Sequence, residues 1–312
     1  METQITDSVF DAANFIKKGG IVAFPTETVY GLAADIFNAE AIANVFKAKA
    51  RPNDNPLIAH IANLSQISEI ALEVPKIAQI LFNKFFPGAL TIVLRKKETV
   101  PPIATAGLET LGVRMPESKI ANRFISACGV PLVAPSANIS GKPSPTTWQA
   151  VYEDLDGRID CILKGETSKY GIESTVIDVT TTPPLLLRRG AVTLETLQCY
   201  IPEITAYEPK EHEVPKSPGM KHKHYSPVAK VRLAKANDNL SVNKNSAFIG
   251  FTVPNAAFKK IYIAKSDEDY AQNLFEFFRE CDRTGIEEIV CEQTVENGIG
   301  AALMERIRRA SK

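Results

Sequence analysis

Several things are scarce in this chain of 312 residues, and each scarcity excludes a class of protein. Net charge is absent: 36 Lys and Arg balance 36 Asp and Glu, and the pI is about 6.9. A constitutive electrostatic hold on nucleic acid or an anionic membrane is therefore not expected, although a local basic cleft is compatible with neutrality. Cysteines are few, odd in number and scattered (Cys128, Cys161, Cys199, Cys281, Cys291), with no C-x-x-C pair. They read as reduced core thiols of a cytosolic protein. No apolar run approaches the ~20 residues of a membrane span. The opening "METQITDSVFDAANFIKKGG" has no apolar signal core, so a soluble cytoplasmic protein is expected. The phosphate-loop pattern G-x-x-x-x-G-K-[ST] is missing. "NGIGAAL" supplies two of the three glycines of a dinucleotide turn and reads as a plain helix start. No G-x-S-x-G elbow or Ser-His-Asp order supports covalent hydrolysis. His222 and His224 in "KHKHY" lack a third ligand at zinc spacing and are flanked by lysines, so no protein-bound metal is expected.

What is present is an alternation of helical and strand patterns. Val9, Phe10, Ala13 and Phe15 recur at helical spacing before a double glycine and the strand "IVAFP". "TETVYGLAAD" follows as a polar loop returning to apolar chain. "AEAIANVFKAKA" is helical, with Ile42, Val45 and Phe46 on one face, and Pro52 and Pro56 prevent its continuation into the strand "PLIAHI". "PKIAQILFNKFFPG" is a helix between prolines, and "KIANRFISACG" and "TWQAVYEDL" are helical too. "ALTIVLR", "TLGVRMP", "VPLVAPSA", "CILKG", "STVIDVT" and "PLLLRRG" read as strands. This interleaving predicts one α/β domain on a mixed sheet over residues 1–205. "EPKEHEVPKSPGMKHKHYSP", almost without aliphatics, predicts a linker over 206–229. Renewed alternation from "KVRLA" onward predicts a small second α/β domain over 230–312.

Polar residues concentrate in a few places. "KARPNDNPLIAHI" (Lys49 to Ile61) places Lys49 and Arg51 at a helix exit, beside amide side chains, with His60 on the strand face opposite Leu57, Ala59 and Ile61. Two cations fanned from a helix end suit a phosphate or a carboxylate. A solvated helix end with a core histidine fits the same spacing, which does not decide between them. "APSANISGKPSPT" (Ala134 to Thr146) offers Ser136, Asn138, Ser140, Lys142, Ser144 and Thr146 directly after a strand, where open α/β sheets bind ligands. A turn-rich loop has the same composition. Ser174, Thr175, Arg188 and Arg189 lie at strand edges, and Arg114 lies mid-strand among apolar neighbours, where an arginine needs a partner.

In their order, "FPTETVYGLAAD", "KARPNDNPLIAH", "FPGALTIVL", "GVRMP", "APSANISGKPSPT", "GIESTVIDV", "RRGAV" and "SPGMKHKHYSP" closely resemble the L-threonylcarbamoyladenylate synthase family. The match is to its long form, a YrdC-like domain followed by a C-terminal domain. The resemblance implies a twisted mixed sheet with a large concave basic cavity. It implies that L-threonine, bicarbonate and ATP give threonylcarbamoyl-AMP and pyrophosphate, with Mg²⁺ held by the nucleotide. The adenylate then passes to the tRNA-modifying machinery that acts on adenosine 37 of ANN-decoding tRNAs. By the same resemblance Thr28, His60, Arg114, the Ala134 backbone and Ser174 surround threonine. Arg51, Asn55, Thr110, Ser136, Ser144 and Arg188 meet the nucleotide. Lys49, Arg51, Ser136 and Asn138 form the family's K-x-R…S-x-N pattern, with Lys49 and Arg51 the expected catalytic pair, and Tyr225 belongs to a lid.

Two other readings compete. A double-stranded RNA-binding or translation-related module would use the basic cavity for weak RNA binding, but neutrality and the lack of RNP-like aromatics weigh against it. A hydrogenase-maturation carbamoyl transferase would add acylphosphatase and zinc-finger segments, which this sequence lacks.

Overall fold

The computed structural model describes residues 2–207, 225–236 and 238–312. An eleven-stranded mixed sheet organises the first part of the chain. From edge to edge its strands are Gln4–Thr6, Cys161–Leu163, Val22–Phe24, Gly31–Asp35, Leu132–Val133, Ile58–His60, Thr110–Arg114, Leu90–Arg95, Thr175–Asp178, Leu185–Arg188 and Thr205–Ala206. Helices Val9–Lys17 and Lys119–Cys128 pack together on one region of it through Ile16, Phe124 and Ile125, with Phe24 beneath. Helix Ala39–Ala48 covers another through Ile42, Val45 and Phe46, the face that the spacing predicts. "GLAAD", read as the tail of a polar loop, is instead a buried strand, since Leu32, Ala33 and Ala34 are fully enclosed.

Four parallel strands form the second sheet, in the order Lys230–Ala234, Glu288–Glu292, Ser246–Gly250, Lys260–Ile263. Helices Asp267–Arg283 and Gly298–Ala310 pack together through Tyr270, Leu274, Phe278, Leu303 and Ile307. The crevice beyond these strands, where α/β sheets commonly take ligands, is filled from within. The Glu292 carboxylate accepts from the Phe251 and Thr252 backbone N–H groups at 2.7 and 2.9 Å.

The two sheets meet through Val29 and Ile172, which join the apolar core of the second part, and through polar and close backbone contacts. Arg279 donates to the Pro143 carbonyl at 2.6 Å and to Asp154 at 2.8 Å, and Arg306 donates to Glu173 at 2.8 Å. Gly171, at φ +70°, lets the chain approach helix Asp267–Arg283 so closely that a Cβ there would sit 2.4 Å from the Gln272 Cα. Cys128, Cys161, Cys281 and Cys291 are buried free thiols, whereas Cys199 is exposed at a helix C-terminus and is no core residue. No helix among the described residues is long and apolar enough to cross a membrane.

Candidate active site

The helix Ala39–Ala48 does not end because of Pro52, as the sequence suggests, but in a Schellman turn. Arg51 N–H donates to the Phe46 carbonyl at 3.0 Å and Ala50 N–H to that of Lys47 at 3.1 Å. Ala50 takes the left-handed position at φ +49°, which an L-residue occupies at a cost of about 1 kcal/mol or more. That turn separates the neighbours of Ala50. Lys49 runs inward, 1% exposed, and its Nζ donates to the carbonyls of Ser136 at 2.5 Å and Asn138 at 2.6 Å. The Asn138 Oδ1 lies 3.4 Å from the same nitrogen and accepts from the Ser136 hydroxyl at 2.6 Å, while the Asn138 amide donates to Ile139 and Lys142. Burial and the charge of Arg51 push the Lys49 ammonium well below its ordinary pKa, and the surrounding oxygens keep it a donor. The K-x-R…S-x-N pattern is thus physical: Lys49 ties down the Ser136–Asn138 loop.

Arg51 turns the other way. Its Nη2 donates to the Asn55 carbonyl at 3.2 Å and its guanidinium lies 6.0 Å from the Phe46 ring centre. Its Nε, and both amide atoms of the fully buried Asn55, have no hydrogen-bond partner among the described residues. Burial lowers the Arg51 pKa to about 10, so it remains a cation at neutral pH. Arg188 donates to the Ser174 carbonyl at 3.0 Å and to its hydroxyl at 3.1 Å, and that hydroxyl also meets Thr91 at 2.8 Å.

His60 and Arg114 are paired partners on adjacent parallel strands, at their carboxyl ends. Leu57, Ala59 and Ile61 lie in the main core while His60 packs edge-on against Phe24, as the alternation predicts. Burial, and secondarily Arg114, lower the His60 pKa to about 3. The ring is neutral, and Nδ1, 3.1 Å from the Ile58 carbonyl, must carry the proton because a carbonyl only accepts. Nε2 is left as an acceptor. Arg114 already has a carboxylate: Nη2 donates to Glu27 at 2.5 Å, Nη1 to the Thr28 hydroxyl at 2.7 Å and Nε to Gly88 at 3.3 Å. Burial raises the Glu27 carboxyl, but the charge and hydrogen bond of Arg114 outweigh it and hold the group below the usual range.

These side chains converge on one pocket. Thr28, Lys49, Arg51, His60, Arg114, Ala134, Ser136, Asn138, Ser174, Arg188 and Tyr225 line it. Three expected residues stand outside the lining. Asn55 lies behind Arg51, Ser144 is buried with its hydroxyl on Glu173 at 2.5 Å, and Thr110 begins the strand that ends at Arg114. The free volume left between these side chains is about 70 Å³. Tyr225 forms part of the wall, stacked on Phe275 at 5.3 Å. The rest of the expected linker, 208–224, lies outside the described residues, and so do His222 and His224 of the metal reading.

Glu27 and Glu173 escaped the sequence reading, although both lie in quoted motifs. No local signal marks them: Glu27 stands between two threonines and Glu173 is followed by Ser174 and Thr175. Burial raises the Glu173 carboxyl, and Arg306, Arg188 and Ser144 more than offset it and hold it low. No group of three His, Cys, Asp or Glu able to hold a metal ion occurs among the described residues.

Comparison with known proteins finds matches along nearly the whole chain. Residues 14–190 match the domain family described as "Telomere recombination", and 192–312 match "Threonylcarbamoyl-AMP synthase, C-terminal domain". The threonylcarbamoyl-AMP synthase of Pyrococcus abyssi is 43% identical, covering 96% of this chain and 93% of its own. That of Bacillus subtilis is 36% identical over 97% and 92%. The crystal structure of P. abyssi Sua5 complexed with L-threonine superposes with a TM-score of 0.92 at 41% identity, covering 99% of this chain and 97% of that one. The chain belongs to the threonylcarbamoyl-AMP synthase family, in its two-domain form.

Proposed function

We propose that this protein joins L-threonine, bicarbonate and ATP into threonylcarbamoyl-AMP with release of pyrophosphate, a nucleotidyl transfer that supplies the threonylcarbamoyl group for t6A at position 37 of ANN-decoding tRNAs. That role places it in the cytoplasm with the tRNA-modifying machinery. The observation that carries the reading is a single pocket with Arg114, His60, Thr28 and Ser174 on one side and Arg51, Arg188 and the Lys49-held loop on the other. A P. abyssi relative has been crystallised with L-threonine.

Threonine lies on the Arg114 side. Because Glu27 neutralises much of Arg114 from behind, the amino acid meets a rigid donor set rather than a bare charge. Neutral His60 presents Nε2 to a hydroxyl or ammonium proton. The threonine amine adds to CO₂ derived from bicarbonate, losing a proton to give the carbamate. A carbamate oxygen then attacks the α-phosphate, the bond to the β-phosphate breaks, and pyrophosphate leaves. Arg51 and Arg188 are the cations placed to meet that developing charge, and alignment does most of the catalytic work. Mg²⁺ arrives with ATP: Glu173, the carboxylate in the pocket wall, is already engaged by Arg306 and Ser144 and is a poor metal ligand. Tyr225 is the lid residue that must yield to admit the nucleotide. RNA binding is the weaker reading, since Lys49 and Arg188 are buried and engaged within the protein.

The test is incubation with ATP, bicarbonate and labelled threonine. Threonylcarbamoyl-AMP and pyrophosphate are expected in equal amounts. Arg51→Ala should fold normally and lose about a hundredfold or more in rate. Folded wild-type protein giving neither product, yet binding RNA in a salt-dependent way, overturns the assignment.

A further inference from the structure

One arginine of the second domain reaches the segments that line the site. Arg306, in the helix Gly298–Ala310, is fully buried despite its charge. Its Nε donates to Glu173 at 2.8 Å and its Nη2 to the Arg189 carbonyl at 2.9 Å. Glu173 and Arg189 are the chain neighbours of Ser174 and Arg188, both of which line the pocket. The guanidinium also lies 5.3 Å from the Tyr225 ring centre, and its Nη1 is 3.5 Å from Glu305. One planar group therefore holds the segments that present Ser174, Arg188 and Tyr225.

Charge gives this contact a purpose beyond packing. Glu173 stands in the wall of a pocket otherwise furnished with Lys49, Arg51, Arg114 and Arg188. Its other oxygen accepts from the Ser144 hydroxyl. Without Arg306 that carboxylate would draw on Arg188 and Ser144 alone, would repel a polyphosphate and would be costly to bury. We propose that Arg306 is a positioning residue through which the C-terminal domain completes the nucleotide half of the site. It neutralises Glu173 and, through the Arg189 carbonyl, fixes Arg188 for adenylate formation. This rests on the nucleotide reading of that half, which the wild-type assay tests separately.

The experiment compares Arg306→Gln, Arg306→Lys and the double variant Glu173→Gln/Arg306→Gln in the full chain, with KM for ATP and threonine, kcat, and thermal unfolding. Arg306→Gln should raise the KM for ATP about tenfold or more while the KM for threonine stays within about threefold. Removing the stranded carboxylate should bring the ATP KM back to within about threefold of wild type, a rescue that lost packing does not give. If Arg306→Gln does not fold, Arg306→Lys decides. It keeps the charge but cannot span both acceptors, so the ATP KM should rise about threefold or more. Equal losses for both substrates, no rescue by Glu173→Gln, or an unchanged ATP KM in Arg306→Lys overturns the proposal. Absence of product from wild-type protein overturns the underlying reading instead.

Discussion

The two sides of the pocket handle charge in opposite ways. On the Arg114 side the cation is held from within the protein, since Glu27, Thr28 and Gly88 take three of its five donors. His60 beside it is held neutral. On the Arg51 side the Nε and the whole Asn55 amide stand buried without partners among the described residues. Buried polar groups left unmade cost about 1–3 kcal/mol each, so that side has polar atoms to offer a ligand. The contrast suits the two substrates. A small zwitterion needs a rigid, nearly neutral socket, whereas a polyphosphate needs uncompensated donors.

The largest effect should come from opening the closed side. Glu27→Gln keeps the shape but strands the Arg114 charge in a nearly dry site, and should cost about 3–5 kcal/mol in chemical denaturation. A cost below ~1 kcal/mol would mean that the pair is solvated and the socket is not closed.

His60 gives a pH signature of the same side. Its folded pKa of about 3 lies below the ordinary 6.5. Between those values the unfolded chain binds a proton that the folded chain refuses. Stability therefore falls as pH drops from about 6.5 toward 3, by about 1.4 kcal/mol per unit once well below 6.5. His60→Gln should lose this part of the acid sensitivity, measured as the difference in denaturation midpoint between pH 7 and pH 4.5. An identical acid slope in the variant would show that His60 is not held neutral.

The open side should respond in the reverse sense. Asn55→Ala removes two unsatisfied atoms that stand behind Arg51 and outside the pocket lining, so stability should change by less than about 1 kcal/mol while the KM for ATP rises by about threefold. A large loss of stability with an unchanged KM would reverse that assignment. The smallest effect is at the hinge between Lys49 and Arg51. Ala50→Gly relieves the left-handed strain and should stabilise the folded protein by up to about 1 kcal/mol, with turnover kept, by thermal unfolding and the product assay. Destabilisation would mean that the turn is not as described.

How much of this was legible in the sequence follows from where the physics is local. The face of His60 could be read because strand alternation is a local rule, and it places Leu57, Ala59 and Ile61 in the core. The helix of Ile42, Val45 and Phe46 could be read for the same reason. The Schellman turn could not, because Ala50 lacks the glycine that marks one. The strand Gly31–Asp35 was hidden by its polar lead-in and by a length that gives little periodicity. Glu27, Glu173 and Arg306 look like surface charge, because burial with a partner far along the chain leaves no local trace. The pairing of Lys49 with Asn138 came from the family pattern, and in the structure the two are joined by hydrogen bonds.

The most direct test of the contrast is a calorimetric titration of wild type, Arg51→Met and Glu27→Gln with L-threonine and, separately, with ATP. Arg51→Met should bind threonine within about threefold of wild type and ATP about thirtyfold or more weaker, while Glu27→Gln should lose threonine first. Parallel losses of both ligands in each variant would contradict a pocket divided into a closed threonine side and an open nucleotide side.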